Sequence, residues 1–313
     1  MIRALLCLLL TTAFLGGCAV KEKLYTPSEA EKKLVAFCKK ESSAPISLIT
    51  HITGKTLWVY VPFNEPIFTI KPAPGDKAEK KHTPLDLLYL GGDFDEKNNF
   101  SFEYDIVSDT IPADPATYGS GYNEKFAKIR QLIYQGLQES IFNITPGNAP
   151  DFVVVVIADI TTGVGIKSLL YLSDLKQFMT DAIPSDEYYM REQNEIFGNQ
   201  DMTNDTAGKS LTYTDVSWTD FLVSQIKTRI KFKFTQSDVK PDSDPDKLIA
   251  SCAANTLRFY PFKDYSGVYL YNIRQKRDML FDKTQLKTFE EKDWWASKGK
   301  FTTIHFDAGQ IKP

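Results

Sequence analysis

Histidine is almost missing from this 313-residue chain: His51, His82 and His305 are the only three, far apart, and no two stand at metal-ligand spacing. A local imidazole metal motif is therefore excluded. Cysteine is nearly as scarce, with Cys7, Cys18, Cys38 and Cys252 alone. An excess of one charge is lacking too, since 37 basic residues face 40 acidic ones for a net of −3. That balance gives no indication of nucleic acid or of a membrane surface held by net charge.

Complete catalytic and cofactor templates are also missing. Gly54-Lys55-Thr56 and Gly208-Lys209-Ser210 resemble the end of a phosphate-binding loop, but the glycine required five residues earlier is Ile49 in one case and Thr203 in the other. Asp242, Asp244 and Asp246 alternate, and Asp201, Asn204 and Asp205 cluster, as calcium ligands can. Yet the sixth and twelfth places of an EF-hand, which want Gly and Glu, are Lys247 and Ala253 or Thr206 and Thr212. Ser120 has Tyr118 and Tyr122 where a nucleophile elbow needs glycines, so Gly119-Ser120-Gly121 reads as a flexible turn. No nucleotide, metal or other cofactor is expected, and no catalytic residue is assigned. Paired carboxylates have no spacing that singles one pair out.

What is present is apolar material, 42% of residues, enough over this length for a substantial core and incompatible with disorder of the whole chain. The first 17 residues are ordered as an export signal: Arg3 supplies a charge, residues 4–15 are almost wholly apolar, and Gly16 and Gly17 are small. The run from Ala4 to Val20 is 17 residues, short of the about 20 that a membrane helix needs, and the two glycines weaken a helix there. Leu15-Gly16-Gly17-Cys18 resembles the lipobox of bacterial lipoproteins. The resemblance implies removal of residues 1–17, a diacylglyceryl group on the Cys18 thiol, acylation of the new amino terminus, and a tether over 18–25. In the enteric lipoproteins it resembles, Asp after the cysteine retains the protein in the inner membrane. Ala19 therefore implies the outer membrane, facing the periplasm.

With Cys7 removed and Cys18 lipidated, two thiols remain, and in an exported protein Cys38 and Cys252 are expected to form a disulfide. It would close a loop worth roughly 5 kcal/mol in the entropic model.

Along the remainder, periodicity predicts a mixed α+β fold with flanking helices. Thr26-Pro27-Ser28-Glu29 is a capping box opening a helix to about Glu41, with Ala30, Leu34, Phe37 and Cys38 inward. Runs 47–52 and 55–61 form a hairpin around Gly54, 71–84 is a solvated loop, and 85–90 and 100–107 are strands. Residues 109–121 separate an N-terminal lobe, 26–108, from a C-terminal lobe, 122–313. Asn123 caps a long helix with Phe126, Ile129, Ile133, Leu137 and Ile141 inward. Phe152–Ala158 reads as a strand covered on both faces. Further elements are a strand at 166–172, short helices from Ser173 and Ser185, a loop at 198–209, and a helix from Ser217 passing into a strand at Ile230, Phe232 and Phe234. A flexible linker, 236–245, then precedes a helix containing Cys252, strands at 257–262 and 268–273, a short helix after Asp282, and a last strand at 301–306.

Lys33–Cys38 and Lys247–Cys252 match in four of six positions. They suggest a weak helix-and-strand repeat whose cysteines could meet. The step from the Asn123 helix to Phe152-Val153-Val154-Val155 is similar to one in envelope lipoproteins that activate penicillin-binding proteins or build secretion pores, with no signature residue. Trp294 and Trp295 are candidates for stacking on a sugar, although aromatic residues also serve β-rich cores. The expectation is a membrane-anchored module, non-catalytic, binding another envelope protein or glycan. The alternative is an envelope hydrolase using a carboxylate pair or an acid and histidine metal site.

Overall fold

The computed structural model describes residues 24–42, 45–72, 85–108, 118–145, 147–236 and 238–290. The signal, Cys18, His82, His305, Trp294, Trp295 and the expected strand at 301–306 lie outside these residues.

The fold is mixed α+β, built on two sheets. Helix α1 (Pro27–Glu41) opens with the expected box: Glu29 N donates to Thr26 Oγ1, and Thr26 N to the Glu29 carboxylate. Ala30, Leu34 and Cys38, one helical turn apart, bury one stripe. Strands β1 (Ile49–Thr53) and β2 (Thr56–Phe63) follow as an antiparallel hairpin turned at Gly54, whose φ of +56° suits glycine. Then come β3 (Phe68–Pro72), β4 (Leu85–Leu90), β5 (Asp93–Phe94), β6 (Asn99–Ser108) and β7 (Tyr118–Tyr122). Gly119-Ser120-Gly121, expected as a turn, is part of β7, where pairing with β3 supplies the backbone partners that a turn would lack.

Asn123 caps α2 (Glu124–Ser140), which leads to β8 (Phe152–Asp159) and β9 (Val164–Tyr171). After α3 (Leu172–Met179), α4 (Ser185–Arg191) and β10 (Gln193–Gly198) come α5 (Trp218–Phe234) and α6 (Pro245–Leu257). Strands β11 (Gly267–Asn272) and β12 (Arg277–Asp282) and helix α7 (Lys283–Lys287) end the described chain.

The first sheet has the order β1-β2-β8-β9-β10, parallel only between β2 and β8. Leu57, Val59, Val61, Val153, Val155 and Ile157 face α1 and α2, forming the first core. Trp58, Tyr60, Val154, Val156 and Ala158 face Met202, Leu211 and Tyr213 on the segment 199–217. Every residue of β8 is buried, as its unbroken apolar sequence predicts. Each of its buried Phe, Val and Ile side chains contributes about 1.5–3 kcal/mol.

The second sheet, β12-β11-β6-β4 with β5 beside β6, lays Phe100, Phe102, Tyr104, Val268 and Leu270 under α5 and α6 to form the second core. It shares a plan with the first: two hairpins joined through parallel inner strands, here β6 and β11. Each sheet takes strands from both sides of the break at 109–121, so the expected lobes 26–108 and 122–313 interleave. The echoing segments hold different places, because α1 leads into the edge strand β1 and α6 into the inner strand β11. Cys38 and Cys252 accordingly do not meet. Each is a buried thiol, Cys38 in the first core and Cys252 in the second, with Sγ 3.9 Å from the carbonyl of Leu132 and of Arg229 respectively. Burial pushes the Cys38 thiol up to about 11.

Two expected strands are helix or turn instead. Ile230 and Phe234 are four apart and share the buried face of α5, so burial keeps the helix intact through the short alternation. Leu257 ends α6, and Phe259 and Tyr260 pack into a buried polar cluster rather than a sheet. The expected linker 236–245 is pinned by Val239, 1% exposed in the second core, although Asp244 and Pro245 do cap α6.

That polar cluster joins the cores. Arg191 on α4 donates to Asp174 on α3 at 2.6 Å and to Glu187 at 2.7 Å, while Arg229 on α5 donates to Glu187 at 2.6 Å. Tyr260 donates to Asp174 at 3.1 Å, and Gln225 donates to the Arg191 carbonyl. The Arg191 and Arg229 guanidiniums lie 4.7 and 5.9 Å from the Phe259 ring centre. Burial raises Glu187, but Arg229 and Arg191 outweigh it and hold the carboxyl below its ordinary value. At Asp174 burial wins over Arg191, and the carboxyl sits above its ordinary value.

Arg229→Met leaves Glu187 buried with half of its compensation and is expected to cost about 3–5 kcal/mol in urea unfolding. A cost under about 1 kcal/mol would show that the cluster is structurally idle. In a chain carrying Cys7→Ser and Cys18→Ser, thiol titration after denaturation without reductant is expected to find two thiols. Finding none would restore the Cys38–Cys252 bond.

Candidate ligand cleft

The glycine loops singled out by sequence hold carboxylates of the chain itself. Asp215 Oδ1 accepts from Lys55 N at 2.9 Å and Thr56 Oγ1 at 2.8 Å. Asp205 accepts from Ser210 N at 2.8 Å, Ser210 Oγ at 2.6 Å and Ala207 N at 3.0 Å. Donors that could have cradled a phosphate are thus taken, and each bond ties the segment 199–217 to itself or to the first sheet. Burial is the largest single influence and raises Asp205, but the donors from Ser210, Ala207 and Lys209 together outweigh it and bring it to about 2.

Two more of the aspartates tested for calcium are similarly employed. Asp244 caps α6, and Asp246 accepts from Tyr104 and Arg277. Among the described residues no group of three or more His, Cys, Asp or Glu is placed to hold a metal ion. His51 is exposed on β1 with its ring 5.0 Å from Tyr213.

A cleft of about 440 Å³ opens instead beside the first half of α2, walled by Tyr122, Phe126, Arg130, Tyr134, Phe178 and Tyr189. The β3–β7 arm places Tyr122: Asn123 N donates to the Ile67 carbonyl at 2.8 Å, and Tyr122 stacks on Phe126 at 5.0 Å between ring centres. On the opposite wall Phe178 stacks on Tyr188 at 4.3 Å. Tyr122 and Tyr189 are 38% and 52% exposed, so both rings present surface at the mouth of the cleft.

At the floor, Arg130 Nη2 lies 2.5 Å from both oxygens of Glu192, and Arg130 Nε donates to Tyr134 Oη at 3.2 Å. Tyr134 donates to Glu192 at 2.8 Å. The Glu192 side chain has no exposure, while that of Arg130 keeps 22%. Burial lowers Arg130, but Tyr134 and Glu192 outweigh it, so its net shift is upward and the guanidinium stays charged. Its Nη1 makes no hydrogen bond among the described residues and is not sealed from solvent. The cleft therefore offers ring faces for stacking, two glutamines, Gln131 and Gln135, and one guanidinium edge whose charge is balanced from below.

A second cleft, about 580 Å³, lies on the other flank of α2, with Ile46, Val61, Phe63, Ile129 and Leu132 at its base and the Lys125–Glu65 ion pair at its rim. The two share Gln131 and Gln135, so α2 forms a polar ridge between apolar troughs.

None of these wall residues was a candidate in the sequence. Phe126, Arg130 and Tyr134, spaced i, i+4, i+8, do mark a stripe beside the apolar face of α2. The burial of Glu192 beneath it depends on the path of α4. No family model, curated protein or solved structure matches the chain.

Asp205 contributes stability above the unfolded carboxyl value, and that stability fades as pH falls toward about 2. Urea unfolding at pH 5 and pH 3 is expected to show a smaller acid loss in Asp205→Asn than in the unaltered protein; equal losses would contradict this. Glu192→Gln, which leaves the Arg130 charge unbalanced, is expected to cost about 3 kcal/mol, whereas Tyr189→Ala at the rim is expected to stay within about 0.5 kcal/mol. Equal costs would mean that the rim ring is structural.

Proposed function

We propose that this chain is a lipid-anchored envelope protein that binds, without catalysis, another envelope protein or glycan in the clefts flanking α2. The carrying observation is the N-terminal order of Arg3, an apolar run to Leu15, and Gly16-Gly17-Cys18. On that reading Cys18 carries the lipid, and two or three acyl chains make the attachment durable where one would be marginal. Ala19 favours the outer membrane, facing the periplasm. No helix among the described residues is long and apolar enough to cross a membrane, which is compatible with lipid as the attachment.

The binding half of the proposal rests on the exposed rings. Aromatic faces pack on sugar C–H surfaces and on aliphatic or proline side chains, and Arg130 Nη1 can donate to a carbonyl or carboxylate that enters between them.

In cells, palmitate is expected to label the unaltered protein and to be lost with Cys18→Ser, together with membrane attachment. A photo-crosslinking residue at position 189 is expected to capture a discrete envelope component, and the same residue at position 50, on the edge strand β1, is not. Retained labelling in Cys18→Ser would end the anchoring half; indistinguishable adducts from positions 189 and 50 would end the binding half.

A further inference from the structure

Net charge gives no indication of an electrostatically held membrane, but the placement of individual lysines does. Three of them crowd the end of the molecule where the chain enters its fold. Tyr25 pairs with Ile144 just beyond α2: Tyr25 N donates to the Asn143 carbonyl at 2.8 Å, and Thr145 N to the Tyr25 carbonyl at 3.2 Å. Lys33 Nζ lies 2.8 Å from Tyr25 Oη, Lys176 Nζ 3.4 Å from the Phe142 carbonyl, and Lys55 Nζ 2.7 Å from the Gly147 carbonyl.

All three ammoniums thus gather on residues 142–149 and the Tyr25 strand. Among the described residues none of the three pairs with a carboxylate, which is true of Lys32, Lys39 and Lys97 as well, so it is their gathering at one end that sets the three apart. The neighbouring Glu29 is folded back on its own helix cap. An exposed Leu24, 52% accessible, stands at the same place.

This end is a pole of the first layer. It holds the starts of β2, β8 and α1 and the end of α2. Both clefts lie toward the other end, with Phe126 and Lys125 near the start of α2. Along the helix axis Asn143 is about 25 Å from Phe126 and about 12 Å from Gln135, the α2 residue of the cleft nearest this pole.

Six residues lie between Cys18 and Tyr25, so the seven steps of the tether span at most about 25 Å. It adds Lys21 and Lys23 against Glu22. If Cys18 is held at a bilayer, the pole cannot stray far from it, and each lysine near an anionic surface adds to the attraction.

We propose that the end bearing Lys33, Lys55 and Lys176 is the membrane-apposed face, seated on the phosphate layer of an anionic phospholipid bilayer, with the α2 clefts held away from it. This rests on the reading of Cys18 as the anchored residue, and the test makes the two separable. Mature chain, residues 18–313, is coupled through the Cys18 thiol to a maleimide lipid in vesicles, which imposes the anchor whether or not cells acylate it. A fluorophore is introduced through a ketone-bearing residue at position 148, beside the pole, or at position 127, beside the cleft, and quenched by a nitroxide on the lipid headgroup.

Quenching at 148 is expected to exceed that at 127 severalfold in vesicles containing phosphatidylglycerol. The difference is expected to shrink in phosphatidylcholine alone, at high salt, and in a combined Lys33→Gln, Lys55→Gln, Lys176→Gln variant. Equal quenching at the two positions in phosphatidylglycerol would overturn the proposal, as would a difference indifferent to lipid charge and salt. The lipid and salt comparisons use the unaltered side chains, so they decide the matter even if the triple variant does not fold. Loss of palmitate labelling in cells, by contrast, bears only on the anchoring of Cys18.

Discussion

Two arginines and two carboxylates, with side chains no more than 4% exposed, meet where the first core touches the second. Asp174, Glu187 and Arg191 come from the helices beside the first sheet, and Arg229 comes from the helix beneath the second. Desolvating each ion costs several kcal/mol, so the group is tolerable only because its charges balance and each carboxylate accepts from a guanidinium. Tyr260, Gln225 and the face of Phe259 complete that shell. An apolar seam of the same volume could be as stable, but it could slide. The ion group admits one registration of α4 against α5, and that registration positions Glu192, immediately after α4, beneath the cleft.

From Glu192 the constraint passes outward. Its carboxylate fixes Arg130 and Tyr134 on α2, and those two side chains form the floor between the rings of Tyr122 and Tyr189. The opposite end of α2 meets Tyr25, near the start of the described residues. One helix therefore carries the proposed recognition surface at its start and the proposed membrane-facing pole just beyond its end. In this account the recognition surface is held off the bilayer along the axis of α2.

Local chemistry was legible wherever one residue type has one job. Thr26, Asn123, Asp244 and Asp282 all cap helices as their spacing implies, and the continuous run of β8 is buried on both faces. Non-local pairing was not legible. That β2 joins β8 and β6 joins β11 across the 109–121 break depends on which hairpins dock together, and no short-range pattern encodes it. The alternation at Ile230, Phe232 and Phe234 fits strand and helix alike, and burial against the second core decides for helix. The cleft was hidden for the same reason, since its rings come from β7, α2, α3 and α4.

If the buried ion group welds the two layers, they should open together. Native-state hydrogen exchange of the central amides of β8 in one sheet and of β6 and β11 in the other measures this directly. The account predicts one shared opening free energy for these three strands. Exchange of β6 and β11 through a separate opening of lower free energy, with β8 still protected, would show two independently stable layers and contradict it.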